Sequence, residues 1–425
     1  MANAFNKEER VAFEQLLEGF NDALIMSRHV AKYNTDQTMM ARTGDTIWRP
    51  MPYIAQSFDS VVGTSISANY DDMTQLSVPA TIGYSKTSAW KLNAKELRDA
   101  LQEGRLGEAA RQKLASDVNY SIMSVAAAQG TLVVPVSTAA GDYDDVALCD
   151  SIMNEQGVQN VDRVLALSSR DYNGMAGNLA VATRSFGNNK SDKAYEKSYV
   201  GMVAGFETFK MDYALRCADN AVTGSTMATN GAQVRFVPQA TSTSVGGQIN
   251  VDNRYQTITV STTTGVTAGD SFTIAGVEAV HAITKQSTGR LRTFRVISIA
   301  SGTTMVISPP IIGANSSPTD AESQYKNCSI TSTSATAAIT YLNIGASSIN
   351  PFWYKDAFEL IPGRYAIPTD AGVAVMRAST DQGVELVMQK FYDIDSMVTK
   401  YRLDTLYGVC CTNPQMAGVL LFNQT

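Results

Sequence analysis

Histidine is almost missing from this chain, which has only His29 and His281 among its 425 residues. A Ser-His-Asp or Cys-His catalytic group would have to use one of them, and no G-x-S-x-G motif stands near either. The phosphate-binding patterns G-x-x-x-x-G-K-S/T and G-x-G-x-x-G are absent, as is the zinc-binding pattern H-E-x-x-H. The sequence therefore offers no recognisable catalytic, cofactor-binding or metal-binding residues.

Signals for disulfides, secretion and membrane insertion are lacking as well. The five cysteines are odd in number and include no C-x-x-C pair, so we expect reduced thiols and neither a disulfide framework nor a zinc site. The N-terminus carries charge and no apolar stretch, so we expect no signal peptide. No run of about 18 apolar residues is present that could span a membrane. These absences predict a protein that is made in the cytoplasm and stays there.

Charge is scarce. Charged residues make up 17% of the chain, against roughly 25% in an average soluble protein. The net charge is −6, from 34 basic and 40 acidic residues, and no run of Lys and Arg forms a strong basic patch. If the chain encloses nucleic acid, it does so without binding it tightly, because tight binding rests on such phosphate contacts. A weakly charged surface can also be covered by neighbouring copies, which favours a self-assembling protein.

An amphipathic helix is predicted over residues 7 to 33. Apolar residues recur along it at three- and four-residue spacing, which places them on one face. Glu14, Glu18 and Asp22 lie opposite them, each four residues from the last, and form an acidic stripe. Two interpretations of the stripe stay open: a solvated helix face, and a docking site for a basic partner.

The next part of the chain mixes strands and helices. Residues 57 to 86 alternate in the manner of a long two-stranded hairpin, and residues 107 to 129 have the pattern of a long helix. Between residues 131 and 221, short apolar runs typical of buried strands alternate with helical segments. This part of the sequence indicates α/β or α+β structure.

Composition changes between about residues 222 and 344, where Thr, Ser, Val, Ile and Gly dominate. Short alternating runs separated by glycines predict a small β-barrel or sandwich. Mixed structure resumes from residue 350 to 425. The sequence thus predicts an α+β domain that is interrupted by an inserted all-β domain.

The insert carries one concentration of positive charge, in the segment TGRLRTFRV. If this segment is a strand, Arg290 and Arg292 share a face, because side chains alternate along a strand. One interpretation is a solvated strand face. The other is a salt bridge across an interface between subunits, for which the planar guanidinium is well suited.

Several short motifs resemble the coat proteins of P22-like short-tailed phages. They are Asn250-Val-Asp-Asn-Arg-Tyr, Thr263-Thr-Gly-Val, Gly269-Asp270 and Ala275-Gly-Val277 in the insert, and Thr46-Ile-Trp48, Val203-Ala-Gly-Phe-Glu207 and Phe352-Trp353 outside it. Their order and spacing agree with that family along essentially the whole chain. The resemblance implies an α+β, HK97-like major capsid protein fold with an inserted all-β barrel domain.

For this chain the resemblance implies six consecutive regions. They are an N-terminal arm (1–45), an E-loop region (46–90), a peripheral domain with a spine helix (91–130), an axial domain (131–221), the inserted β-barrel domain (222–345) and a return to the axial and peripheral domains (346–425). An arm or hairpin that cannot bury its apolar face alone is expected to lie across a neighbouring copy.

The resemblance also implies a structural function and no enzyme activity. The chain is expected to assemble, with a scaffolding protein and a portal protein, into an icosahedral shell of hexamers and pentamers with triangulation number seven. That shell would enclose double-stranded phage DNA without sequence-specific binding. No cofactor and no membrane partner is expected, and the location is the virion after assembly in the host cytoplasm. The alternative is an encapsulin-type nanocompartment shell, which uses the same fold.

The resemblance bears on the charged residues as well. Scaffolding proteins of this family contact acidic residues of the N-terminal arm through a basic end. Glu14, Glu18 and Asp22 are therefore candidate scaffold-docking residues. Arg290 and Arg292 are candidate inter-subunit contacts.

The chain departs from the family in one loop. Family members can carry a charged loop just before the Asn250 motif, which ties neighbouring insertion domains together. Residues 240–247 of this chain contain no charged residue. A salt bridge is therefore not expected there. Any contact would be polar or absent, or would use Arg290 and Arg292 instead.

Overall fold

Strands outnumber helices in the computed structural model, which describes residues 5, 7–33, 46–52, 62–63, 65–67, 70, 72–93, 100–180, 189–211, 213, 215–220, 222–227, 235–313, 318–331, 336–367 and 373–424. The helices are α1 (Lys7–Ala23), α2 (Ala100–Gln129), α3 (Tyr143–Glu155), α4 (Ser169–Ala180), α5 (Asn189–Lys197) and α6 (Asp320–Tyr325). Short 3-10 helices cover Met26–His29, Lys355–Ala357 and Pro414–Met416.

The strands range from 2 to 15 residues in length. They are β1 (Ala31–Lys32), β2 (Thr46–Pro50), β3 (Ser77–Thr81), β4 (Tyr84–Asn93), β5 (Leu132–Pro135), β6 (Arg163–Ser168), β7 (Met202–Val203), β8 (Phe206–Met211), β9 (Arg216–Cys217), β10 (Thr226–Met227), β11 (Thr241–Ser244), β12 (Gly247–Asn250), β13 (Gln256–Thr259), β14 (Ser271–Val280), β15 (Ser287–Ser301), β16 (Thr304–Ser308), β17 (Cys328–Ile330), β18 (Ala337–Tyr341), β19 (Ser347–Tyr354), β20 (Phe358–Pro362), β21 (Ala374–Ser379), β22 (Glu385–Asp393), β23 (Val398–Cys411) and β24 (Ala417–Leu421).

Two compact units are each built from separate chain segments. The first unit comprises residues 1–47, 79–125 and 358–410, and the second comprises residues 48–78, 126–357 and 411–425. In the first unit the strands follow the order β1-β20-β23-β22-β21, and β4 also pairs with β23. Of the hairpin predicted over residues 57–86, residues 57–61, 64, 68, 69 and 71 lie outside the described residues, and the described remainder includes β3 and the start of β4.

The N-terminal helix is shorter than the predicted span of 7 to 33, because α1 ends at Ala23. The side chain of Asn119 ends it: Nδ2 donates to the carbonyl of Ala23 at 3.0 Å, and Oδ1 accepts from the amide of Met26 at 3.2 Å. A continuing helix would pair these backbone groups internally, whereas here Asn119 satisfies them. A 3-10 turn follows instead.

The second unit contains a mixed sheet with the order β5-β24-β19-β6-β8-β7, and β9 pairs with β19. The pairs β24–β5 and β6–β8 are parallel, while β19 is antiparallel to both β24 and β6. The rings of Phe206 and Phe352, both fully buried, meet edge to face at 6.0 Å in its core. The alternation of strands and helices predicted for residues 131–221 is confirmed by β5, α3, β6, α4, α5 and β8.

The segment predicted as an all-β insert forms a closed barrel. Its strands follow the order β10-β18-β14-β15-β16-β13, and a bridge between Met227 and Val260 joins the first strand to the residue directly after the last. Phe272, Phe294 and Ile307 are fully buried inside it. A closed sheet fills its interior with inward-facing side chains and leaves few open edges. The prediction of an α+β fold with an inserted all-β barrel is confirmed.

Candidate assembly surfaces

The candidate functional features of this chain are surfaces: the acidic stripe of α1, the arginine-bearing strand β15 and the hairpin β11–β12. Within the ranges that the structure describes, no group of three or more His, Cys, Asp or Glu side chains is placed to hold a metal ion. None of the helices in those ranges is long and apolar enough to cross a bilayer.

The acidic stripe of Glu14, Glu18 and Asp22 lies on the exposed side of α1. The apolar side of the helix is buried, with Phe20 completely covered. Arg28 Nη2 lies 3.7 Å from Asp22 Oδ1 and offsets part of the charge at that end of the stripe. The periodicity of the sequence thus places the three carboxylates in solvent, where both interpretations of the stripe require them.

Contacts within the first unit hold α1 in place, so the stripe is presented from a fixed surface. Lys390 pairs with Glu9 at the start of the helix. At its end, Asn21 Nδ2 donates to Asp381 Oδ2 at 2.9 Å. Lys32 Nζ then donates to the carbonyl of Asp381 at 3.2 Å. A partner would meet this face without first having to order the helix, which lowers the entropic cost of binding.

Arg290 and Arg292 lie on one face of β15 as predicted, but that face packs on the C-terminal end of α3 in the same chain. Arg290 Nε is 3.3 Å from Glu155 Oε2, and its side chain is 58% exposed. Arg292 donates to Gln156 Oε1 and is only 1% exposed. Contrary to the prediction, Arg292 does not offer an inter-subunit contact, because its own chain buries the guanidinium.

Arg295, which was not among the candidate residues, also contacts the C-terminal end of a helix of its own chain, in this case α2. Its Nη2 donates to the carbonyl of Ala127 at 2.7 Å, in the last turn of α2, and its Nη1 donates to Ser271 Oγ at 3.0 Å. Cations are stabilised at a helix C-terminus, where the carbonyl groups carry partial negative charge. Burial lowers the pKa of Arg295 to about 10, so the group stays charged at neutral pH. Strand β15 therefore clamps the ends of α2 and α3 to the barrel.

Asp270 holds together the segment that enters the barrel, before β10, and the segment that leaves it, after β18. Its buried carboxylate accepts hydrogen bonds from Asn220 Nδ2 at 2.6 Å and from Asn343 Nδ2 at 2.9 Å. The amide of Thr267 donates at 2.7 Å and its hydroxyl at 3.0 Å. Asn220 precedes the first barrel strand and Asn343 follows the last, so one side chain fixes the incoming and the outgoing chain at a single point.

An ion pair lies between two distant segments of the insert. Arg235 Nε is 2.8 Å from Glu322 Oε1, and Arg235 Nη2 is 3.1 Å from Glu322 Oε2, which makes the pair bidentate. Glu322 is buried and also accepts a hydrogen bond from the amide of Thr319 at 2.8 Å, at the start of α6. Hydrogen bonding from Arg235 holds the pKa of Glu322 below its usual range, against the opposing effect of burial.

We expect Glu322→Gln to lower the free energy of unfolding by about 1–2 kcal/mol at neutral pH, because a charged hydrogen bond is lost. The folded pKa of Glu322 is lowered, so its stabilisation is complete above the unfolded pKa of about 4.3. It is lost as the pH falls through the folded pKa. Urea unfolding of both proteins at pH 7 and below pH 4 measures the difference, which should shrink in acid. A difference of equal size at both pH values would contradict a role for the ionised carboxylate.

The uncharged segment at residues 240–247 contributes to an exposed hairpin. Strands β11 and β12 pair antiparallel, from Thr241 opposite Asn250 to Ser244 opposite Gly247. Val245 projects fully into solvent at the turn. Residues 240–247 present hydroxyl, backbone and small apolar groups and no charged group, and a polar contact made by them stays a prediction.

The comparisons with known proteins point to phage coat proteins. The family described as P22 coat protein, gene protein 5, matches residues 1–423. The coat protein I-domain of CUS-3 is 39% identical, covering 29% of this chain and 98% of its own, with a TM-score of 0.23. A chain from Mycobacterium phage Che8 is 12% identical over 94% of this chain and 91% of its own, with a TM-score of 0.43. A chain from the capsid of cyanophage P-SCSP1u is 11% identical over 93% and 86%, with a TM-score of 0.43.

Proposed function

The chain belongs to the P22 coat protein family, and from that membership we propose how its shell is built and filled. It is a major capsid protein with an HK97-like fold, a structural component of the virion and not an enzyme, and it forms the shell with copies of itself. The proposed shell is an icosahedron of hexamers and pentamers with triangulation number seven. It assembles in the host cytoplasm on a scaffolding protein, incorporates a portal protein and encloses double-stranded DNA. The family match over residues 1–423 carries this proposal.

The regions implied by the resemblance are assigned to the observed elements as part of the proposal. Residues 1–45 with α1 form the N-terminal arm, and residues 46–90 form the E-loop region. Residues 91–130, with α2 as the spine, belong to the peripheral domain, and residues 131–221 form the axial domain. The barrel lies within the inserted domain (222–345), and residues 346–425 return through the axial and peripheral domains.

The charge of the chain supports loose enclosure of DNA. The net charge is −6 and the basic residues form no run. Binding to a phosphate backbone needs clustered Lys and Arg. An encapsulin-type nanocompartment is not favoured, since the matching family is that of a phage coat protein.

Negative-stain microscopy tests the proposed assembly. The full chain is expressed alone and together with the scaffolding-protein gene of the same genome. Uniform closed shells that form only with the scaffold would support the proposal. A stable monomer or small oligomer under both conditions would contradict it, and shells that purify with an enzyme cargo would favour the nanocompartment.

We place the scaffold-docking site on the acidic stripe of Glu14, Glu18 and Asp22. The stripe is exposed and lies on a helix that its own unit holds in place. A basic partner gains attraction from three carboxylates on one face. Each such contact is weak when exposed, at about 0.2–1 kcal/mol, but many subunits share it in one assembling shell.

We expect Glu14→Lys with Glu18→Lys to abolish scaffold-directed assembly, with shell yield reduced on the order of tenfold or more, because attraction becomes repulsion at every subunit. The subunit itself should keep its stability to within about 0.5 kcal/mol, since both positions are exposed. Shell yield is measured by sedimentation and stability by urea unfolding. A matched double reversal at the exposed residues Glu108 and Asp395 should assemble normally. Normal shells from the stripe variant would contradict the docking site.

Arg290 remains as the proposed inter-subunit contact after Arg292 is excluded by its burial. We expect Arg290→Ser to lower the guanidinium concentration at which shells dissociate, while the unfolding of the free subunit stays unchanged. Arg364→Ser is the control, because Arg364 is also exposed and lies 3.9 Å from a carboxylate, that of Glu385. Equal dissociation midpoints for wild type and Arg290→Ser would exclude this contact.

A further inference from the structure

A turn of the barrel holds Lys285 in an unusual backbone conformation. Its φ angle is 56°, in the left-handed region that residues other than glycine rarely adopt. The amide of Lys285 donates to the carbonyl of His281 at 2.9 Å. His281 Nδ1 accepts from the amides of Ile283 at 3.3 Å and Thr284 at 3.2 Å, which fixes the turn from inside. The side chain of Lys285 therefore starts from a rigid backbone.

A second lysine faces it from the connection between α6 and β17. Lys285 Nζ donates to the carbonyl of Lys326 at 3.3 Å, and Lys326 Nζ donates to the carbonyl of Lys285 at 3.5 Å. Each ammonium group is thus held against the backbone of the other lysine. Among the ion pairs of the described residues, none joins either ammonium to a carboxylate. Burial, and next the charge of Lys326, lower the pKa of Lys285 to about 8.

We propose that Lys285 is a modification site of the insertion domain, whose amine accepts acyl groups from activated donors such as acyl phosphates. The Nζ lone pair attacks the carbonyl carbon and forms a C–N bond, the bond from that carbon to the phosphate oxygen breaks, and phosphate leaves. The amine gives its extra proton to solvent. The product amide is uncharged, so the repulsion between Lys285 and Lys326 disappears.

Acetyl phosphate is the probe, with the full chain as acceptor and mass spectrometry of peptides as the readout for each lysine between pH 6.5 and 10.5. At pH 7.5 an amine with a pKa near 8 is neutral about 200-fold more often than an ordinary lysine at about 10.4. A less basic amine is a weaker nucleophile, so we expect acetylation of Lys285 on the order of tenfold faster in the folded chain than in urea. The folded profile should rise with a midpoint near pH 8.

Variants of the neighbouring lysine separate the charge effect from simple exposure. Lys326→Met should move the midpoint of Lys285 acetylation to higher pH, whereas Lys326→Arg, which keeps the charge, should leave it near the wild-type value. Lys285→Gln imitates the acylated state and should remain folded by circular dichroism. The proposal is overturned if Lys285 reacts no faster folded than unfolded, or if its folded midpoint lies at the ordinary lysine value.

Discussion

Replacing Asp270 by alanine is expected to lower the free energy of unfolding by about 3–5 kcal/mol, because hydrogen bonds from two buried amides to a charged group contribute about 1.5–3 kcal/mol each. The carboxylate is 3% exposed and accepts four hydrogen bonds, from Asn220, Asn343 and twice from Thr267. Alanine removes an acceptor from the buried amide of Asn220 and leaves Asn343 Nδ2 with only the carbonyl of Ala218 at 3.1 Å, whereas the exposed Thr267 can bond to water instead. It also removes a negative charge that favours the ionised form of the buried Arg295.

Urea unfolding of the full chain measures this loss, and limited proteolysis locates it. Cleavage should begin at the connections near residues 218–227 and 342–347, because Asp270 holds both of them. Asp270→Asn keeps one acceptor oxygen and should give an intermediate loss. Asp219→Ala, at an exposed aspartate nearby, should change stability by less than about 0.5 kcal/mol. A variant at Asp270 that unfolds within 1 kcal/mol of wild type, on the order of one hydrogen bond, would show that the network is dispensable.

Gly418→Ala is the second change with a large expected effect, a loss of about 3 kcal/mol, which is the upper end of the usual cost of overpacking. An added Cβ would lie 2.3 Å from the carbonyl oxygen of Leu132 and 2.4 Å from Cζ of Phe352. Neither obstacle can move away, because Gly418 pairs with Leu132 on one side and with Phe352 on the other. The strand β24 must therefore shift or separate from its neighbours.

A matched glycine distinguishes this steric effect from the general effect of alanine. Gly177 lies on the exposed side of α4, and an added Cβ there meets no atom within 4 Å. Gly177→Ala should stabilise the chain by up to about 1 kcal/mol through helix propensity. The soluble yield and thermal unfolding of both variants are compared with wild type. Equal behaviour of the two would contradict the close approach at Gly418.

Local pattern was enough to predict the elements that dominate the fold. The three- and four-residue spacing of apolar residues predicted α1 and the exposed position of Glu14, Glu18 and Asp22, because one helix face must be buried. The alternating runs between glycines predicted the barrel strands, because a closed sheet needs inward and outward side chains in turn. The end of α1 was predicted wrongly, since Asn119, 96 residues away from Ala23, ends it.

The burial of Arg292, one of the two candidate inter-subunit residues, could not be predicted from the sequence. Alternation correctly placed Arg290 and Arg292 on one face, but it said nothing of what covers that face. Arg292 meets Gln156 across 136 residues of sequence, and Arg295 meets Ala127 across 168. No local signal marks an arginine that will meet a helix end so far along the chain.

By itself the sequence determined the lack of a recognisable catalytic set, the α+β class with its β insert, and the family resemblance. These three features depend on composition, periodicity and short motifs, all of which can be recognised from residues that are near each other in the sequence. Only the tertiary structure decided that Arg292 and Arg295 are internal clamps, that Asp270 joins the two barrel connections, and that Gly418 admits no side chain. The physical reason is that burial and pairing of a charge or a backbone depend on which distant segments pack against it. Packing of distant segments is a property of the folded chain and not of any one stretch of it.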